Sequence, residues 1–227
     1  MLIIVAFVLL IVGGLFLGHL AAKKRREEMQ ALAAELGWRF FPDNDSSHDE
    51  EYAHFDIFRR GHSRVAFNTL VGSVEIDGRQ IYTKAGDFRY RVTRGSGKDR
   101  RTSTYTFSYL IFHLPFETPS LVIRPEGLFD KIAGAFGFDD IDFESEAFSR
   151  RFHVKSSDRR FAFDVIHPRM MEYLMNVKAP LIDIEHGRCC LSNGRASWRP
   201  EDFRNSLRFL TEFIDLWPDH LTAQLES

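Results

Sequence analysis

No charged residue precedes Lys23. The run Leu2–Leu20 reads LIIVAFVLLIVGGLFLGHL. As a helix rising about 1.5 Å per residue it covers roughly 28 Å, the thickness of a bilayer's hydrocarbon core. Lys23, Lys24, Arg25 and Arg26 follow directly, and no basic side chain stands in front. A cleaved signal peptide has the opposite order, with its positive charge ahead of a shorter apolar stretch. Basic residues stay on the cytoplasmic side, so this pattern predicts a retained single-pass helix over residues 1–21, with the amino terminus outside and the rest in the cytoplasm. Lys23–Arg26 are the expected topology determinants. Within the run, Gly14 and Gly18 form a small-xxx-small element through which two such helices approach closely, an expected route to a homodimer.

The remainder has the composition of a folded cytoplasmic domain. The chain has 227 residues, 44% of them hydrophobic, and its 30 basic and 32 acidic side chains nearly cancel. That excludes a disordered or multi-pass chain. The absence of a basic surplus argues against a nucleic-acid partner. Nucleic-acid sheets also carry a glycine-aromatic strand motif that is missing here, so the 22 phenylalanines read as core.

Residues 22–37 predict a juxtamembrane amphipathic helix, with Met29, Leu32, Ala33 and Leu36 on one face and Gly37 after its end. Residues 38–51 include the acidic, turn-rich PDNDSSHDEE and read as a linker. Residues 52–227 form the domain proper. A short helix over Asp49–Arg60 points Tyr52, Phe55 and Phe58 inward. Strands over Arg64–Ile76 and Arg79–Arg94 flank Asp77-Gly78, a type I′ hairpin turn. Ser103–Leu114 is apolar on both faces, the mark of a central strand.

Leu121–Arg124 is a short strand, Glu126–Phe136 a helix, Ser145–Arg150 a helical turn and Arg151–Lys155 a strand. Asp158 or Ser157 caps a helix that His167-Pro168 interrupts, and Pro168 opens a second one ending at Asn176. A meander over Leu181–Glu185, Arg188–Ser192 and Arg195–Trp198 leads to a final helix, Pro200–Trp217. The fold class expected is α+β, about eight mainly antiparallel strands with three or four helices, in an order loosely like that of pleckstrin-homology-like domains.

The stretch RPEGLFDKIAGAFGFDDIDFESEAFSRRFHVKSSDRRFAFDVIHPRMMEYL (Arg124–Leu174) resembles an uncharacterised group of bacterial membrane-anchored proteins. The resemblance implies an inner-membrane setting. It brings no activity with it.

Chemical motifs are weak. Gly95-Ser96-Gly97-Lys98 suggests a phosphate loop, but Val92 stands where the motif needs its first glycine and Asp99 where it needs Ser or Thr. The adjacent Cys189 and Cys190 point to opposite strand faces, which predicts one buried and one surface thiol and no shared metal. The nine histidines show no paired ligand spacing. No catalytic residue, metal ligand or cofactor is therefore assigned. An alternative, an enzyme of unknown reaction, would draw on the acidic cluster Asp139, Asp140, Asp142, Glu144 and Glu146, or on Cys190 with a histidine. A third reading is a structural subunit dimerising through its transmembrane helix.

Charge segregation is the sharpest signal. Arg79–Arg101 holds eight basic residues against two acidic, while Glu126–Glu146 holds seven acids against Lys131. The two regions either pair with each other or meet outside partners. The expected function is a membrane-anchored, non-enzymatic binding domain. Its contacts to anionic lipid or an acidic protein are expected through Arg94, Lys98, Arg100 and Arg101, with Arg89 and Arg91 behind them.

Overall fold

The computed structural model describes residues 2–127, 140–194 and 196–226, without the side chains of residues 2–11 and 15. Its eight strands are β1 (Arg39–Phe41), β2 (His62–Ile76), β3 (Arg79–Arg94), β4 (Arg101–His113), β5 (Leu121–Pro125), β6 (Phe152–Ser156), β7 (Leu181–Glu185) and β8 (Arg188–Ser192). They form one sheet in the order β1-β2-β3-β4-β8-β7-β5-β6, antiparallel throughout. The helices are α1 (Leu2–Leu36), α2 (His48–Glu51), α3 (Glu146–Arg151), α4 (Arg159–Val165), α5 (Pro168–Asn176), α6 (Pro200–Asp215) and α7 (Asp219–Leu225). The α+β class with antiparallel pairing is as expected. The pleckstrin-homology-like arrangement is not, because the strands make a single open sheet with β1 and β6 at its edges.

The sheet is covered on both faces. Alternate residues of β4 divide between two cores: Leu110 and Phe112 join one, Phe107, Tyr109 and Ile111 the other. The larger core takes Met29, Leu32 and Ala33 from α1, with Phe203, Leu207, Leu210 and Phe213 from α6. The smaller is closed by Tyr52, Phe55, Ile57 and Phe58. Double coverage explains why β4 is apolar on both sides. It also corrects the expectation of a surface thiol: Cys189 lies in the larger core and Cys190 in the smaller, both buried.

Local signals act as the sequence suggests where they are strong. Asp77 and Gly78 both take positive φ, at 49° and 72°, as the tight β2–β3 turn requires. Asp158 caps α4 by accepting from the amides of Arg160 and Phe161, and Pro168 opens α5.

Four stretches differ. The helix expected over Asp49–Arg60 is divided into α2 and a separate 3₁₀ turn over Asp56–Arg59. Residues 38–51, expected as a linker, supply β1, paired to β2, and α2, whose His48 is fully buried. Asp45 exchanges backbone hydrogen bonds with Ala66, which ties this acidic segment down. Residues 196–198 form no strand, so β1 is the eighth strand in place of the third meander strand; residue 195 is outside the described residues. Beyond Pro218 the chain turns into α7, which the sequence pattern does not announce. The helix expected over Glu126–Phe136 falls mainly within 128–139, outside the described residues.

At the amino end, one unbroken helix covers what the sequence divides into a transmembrane and a juxtamembrane piece. Among the described residues, no helix is long and apolar enough to cross a membrane. The described part of the apolar run leaves Val12, Phe16, Leu17 and Leu20 exposed.

Candidate functional site

The leading helix is fastened to the sheet by a half-buried cation. Arg25 Nη2 donates to Asp87 Oδ1 at 2.7 Å and its Nε to Oδ2 at 2.9 Å, a bidentate pair. Its Nη1 donates to the Trp198 carbonyl at 2.6 Å. Asp87 is 1% exposed, and it also accepts from the Ser108 hydroxyl at 2.6 Å. Asn68 Nδ2 reaches it at 3.4 Å. Arg25, expected as a topology determinant, also fastens the helix internally. Its neighbours behave otherwise: Lys23 and Lys24 are exposed and lie 3.9 and 3.8 Å from Glu27 and Glu28 one turn on, while Arg26 is exposed.

This clamp sets the direction of everything beyond it. From Arg25 on α1 to Trp38 just past its end, the contacts move from Asp87 and Ser108 to Gly72 and Ser73. In the sheet register Asp87 is opposite Phe67 and Gly72 is opposite Thr83, so the helix advances toward the Asp77-Gly78 turn. Its amino-terminal extension therefore leaves the clamp on the side where β3 and β4 run out as a ribbon. That ribbon is free-standing at its end: β2 pairs with β3 only as far as Arg91, and β8 pairs with β4 only from Tyr109 onward.

The predicted basic residues occupy this ribbon but not one face of it. Arg91, Arg94, Lys98, Arg100 and Arg101 are exposed. Arg89 is half-buried, its guanidinium 5.3 Å from the centre of the Phe67 ring. Strand alternation puts Arg89 and Arg91 on one face with Thr106 and Thr104 opposite them. The other face carries the stacked pair Tyr90 and Tyr105, ring centres 5.3 Å apart, and then Arg94 directly opposite Arg101. Among the described residues none of the six makes an ion pair. Among the described residues of the acidic region none pairs with them: Asp140 lies 3.4 Å from His153 and 3.7 Å from Lys155, and Asp142 and Glu144 are exposed. Asp139 is outside the described residues.

Among the described residues, the groups on which the enzymatic alternative would draw do not come together. Burial pushes both thiols well above the usual cysteine range, so neither is a nucleophilic thiolate. His113 Nε2 lies 2.9 Å from the Tyr52 hydroxyl, and burial lowers its pKa to about 4. His167 Nε2 donates to the Leu216 carbonyl at 2.9 Å. Ligand atoms of Asp45, His48 and Glu51 lie within 4.8 Å of one another, a spacing a metal could use. The ammonium of Lys84 already sits there, 2.8 Å from Glu51 and 3.7 Å from Asp45. This trio reads as a latch that holds the 45–51 segment on β3. Sequence reasoning missed Asp87, Lys84 and His48 as a group, though a lone acid inside an otherwise basic and apolar strand was a visible signal.

Gly14 and Gly18 lie on open helix surface, with nothing within 4 Å of a side chain built at either.

No protein-family model matches this chain, and no curated protein does. A solved structure does: the crystal structure of the mycobacterial trehalose monomycolate transport factor A, TtfA, is similar with a TM-score of 0.60. The match covers 85% of this chain and 96% of that one at 11% identity. The likeness is one of fold. It shows that the single-sheet α+β architecture is shared with TtfA.

Proposed function

We propose that this chain is a membrane-tethered, non-enzymatic binding domain of the bacterial inner membrane. The apolar run of residues 2–20, most of whose side chains lie outside the described residues, forms the anchor on the strength of its sequence, the amino terminus lies outside, and the α+β domain sits in the cytoplasm with its basic ribbon against anionic lipid headgroups. The observation that supports this best is the direction shared by the apolar run and the ribbon. Both leave the Arg25–Asp87 clamp on one side, so a membrane that takes up the exposed Val12, Phe16, Leu17 and Leu20 lies on the side of the domain toward which Arg94, Lys98, Arg100 and Arg101 extend. Basic side chains near an anionic surface contribute about 1 kcal/mol each. Tyr105, 41% exposed beside the arginines, has the amphipathic character that suits an interface. A fold shared with a transport factor is consistent with a binding role.

The test uses the full-length chain in vesicles of neutral or mixed anionic lipid, read by amide hydrogen exchange. Residues 94–104 should exchange more slowly in anionic vesicles, and the difference should fade as salt approaches ~1 M, where the Debye length is ~3 Å. Identical exchange in both vesicle types would remove the lipid contact.

A second reading, a homodimer through the open Gly14 and Gly18 surface, predicts a crosslinked dimer that disappears when both glycines become leucine.

A further inference from the structure

Resting on the reading of the ribbon as an anion-binding surface, we propose that Arg94 and Arg101 form a two-pronged site for a single phosphate group, and that it prefers a phosphomonoester to a phosphodiester. The two residues are the last register pair of the β3–β4 ribbon and share a face. Residues directly opposite on antiparallel strands have Cβ atoms about 5 Å apart, and like charges there are destabilising. The chain supplies no compensating acid to either arginine among the described residues. A dianion between the two guanidinium groups cancels the repulsion, and its three terminal oxygens are shared between the two planar forks. A phosphomonoester carries about −1.5 to −2 charge at neutral pH, which matches two guanidinium groups. A phosphodiester brings only a single charge.

The prongs are mounted on a braced frame. The connecting tip is closed tightly: Gly95 has φ +78°, and a Cβ there would stand 2.5 Å from the Asp99 carbonyl oxygen, so no other residue fits. Gly97 also takes a positive φ, and the Asp99 amide donates to the Ser96 carbonyl at 3.2 Å. One register step below, the hydroxyls of Thr93 and Thr102 lie 2.9 Å apart, and His62 Nε2 lies 2.9 Å from that of Thr93. The Tyr90–Tyr105 stack stiffens the arginine face itself. Lys98 and Arg100, on the tip, add attraction without belonging to the pair. This differs from a phosphate loop, in which backbone amides ahead of a helix hold the anion. Here two side chains on a hairpin hold it.

Such a group could arrive on a lipid or free in solution, and the experiment separates these sources. The full-length chain is placed in discs of neutral lipid, of phosphatidylglycerol mixtures, or of phosphatidic acid mixtures matched in surface charge, and hydrogen exchange at the tip is read. The site predicts several-fold slower exchange with phosphatidic acid than with phosphatidylglycerol. Arg94→Gln and Arg101→Gln should each abolish that preference, and Lys98→Gln should leave it. Equal protection by both anionic lipids overturns the phosphate site while the anionic-surface reading stands. If neither lipid protects the tip beyond neutral discs, the surface reading falls, and soluble glycerol phosphate added to neutral discs decides the site. Protection that is lost in Arg94→Gln then supports a soluble phosphomonoester as the ligand, and no protection overturns the site.

Discussion

Arg25, on the leading helix, holds Asp87 at the middle of the sheet in a bidentate grip, with both contacts under 3 Å. The same strand that carries Asp87 carries Arg94, so this pair fixes how the helix and the basic ribbon are oriented together. Losing the cation leaves a carboxylate at 1% exposure with, among the described residues, the Ser108 hydroxyl and the Asn68 amide as side-chain partners. Breaking a buried pair from one side costs about 3–5 kcal/mol. Arg25→Met should therefore lower the unfolding midpoint of the full-length chain sharply, while Arg26→Met, on an exposed side chain, should leave it near the wild-type value. A chain cut to begin at Trp38 should fail to fold, since it also lacks Met29, Leu32 and Ala33. Equal midpoints for the two methionine variants would disprove the fastening role.

Trp38 closes the far end of the same helix–sheet contact. Its ring covers Gly72, where an added Cβ would stand 2.1 Å from the indole, and its Nε1 donates to the Ser73 carbonyl at 3.2 Å. Gly72→Ala should push the ring off the strand and cost about 1–3 kcal/mol, as overpacking does. Thermal unfolding gives the loss, and a red shift in tryptophan emission reports the displaced ring. An unchanged melt would show that the ring moves freely.

Much of this fold is legible in the sequence because its strongest signals are local. The Asp77-Gly78 turn, the two-faced apolar pattern around Tyr109 and Leu110, and Pro168 at the start of a helix each depend on neighbours within a few positions. What Lys84, Asp87 and His48 do is illegible for the opposite reason. Their roles come from partners far away in the chain, Glu51, Arg25 and Tyr109, which only the pairing of strands brings together. Arg25 adds a role that its cluster does not announce: of four consecutive basic residues, helical rotation turns this one toward the sheet. The exposure of Arg94 and Arg101 was foreseeable. Their direct opposition depends on the register between strands that meet in a six-residue tip.

The two thiols offer a direct check on the enzymatic alternative. Cys189 and Cys190 are 0% and 2% exposed, and burial raises both well above the ordinary thiol range. A thiol reagent should leave both unmodified in the native protein and modify both once it is unfolded. Rapid labelling of Cys190 in the native state would restore it as a candidate nucleophile.

Lys84 should be needed to keep residues 42–51 in place. Its ammonium neutralises Glu51 and Asp45 at once, and a charged hydrogen bond of this kind contributes about 1.5–3 kcal/mol. Lys84→Met should expose this segment to limited proteolysis, with cleavage between Pro42 and Glu51 much faster than in the wild type. Unaltered resistance to cleavage would mean that the backbone bonds to Ala66 suffice.

The buried carboxylates of β7 give stability a dependence on pH whose sign is set by their environment. Burial, followed by the nearby Asp56, pushes Glu185 from its ordinary 4.5 up to about 7. Burial also raises Asp183 well above the usual range, and its Oδ1 has no hydrogen-bond partner among the described residues. A carboxyl whose pKa is raised on folding binds more protons in the native state than in the unfolded one. Its contribution is full below pH 4.5 and is lost as pH rises through about 7. The buried histidines act in the other direction. Burial lowers His48 from 6.5 to about 3 and His54 and His113 to about 4, so their contribution is lost as pH falls below 6.5. The melting temperature should therefore peak near pH 6.5, where the histidines are largely neutral and Glu185 is still partly protonated. Glu185→Gln keeps the shape of the protonated carboxyl and removes its ionisation. The variant should melt close to the wild type below pH 4.5 and above it beyond pH 7, with the gap opening between those values. A gap of the same size at every pH would place Glu185 in contact with water or a cation, and the burial argument would fail.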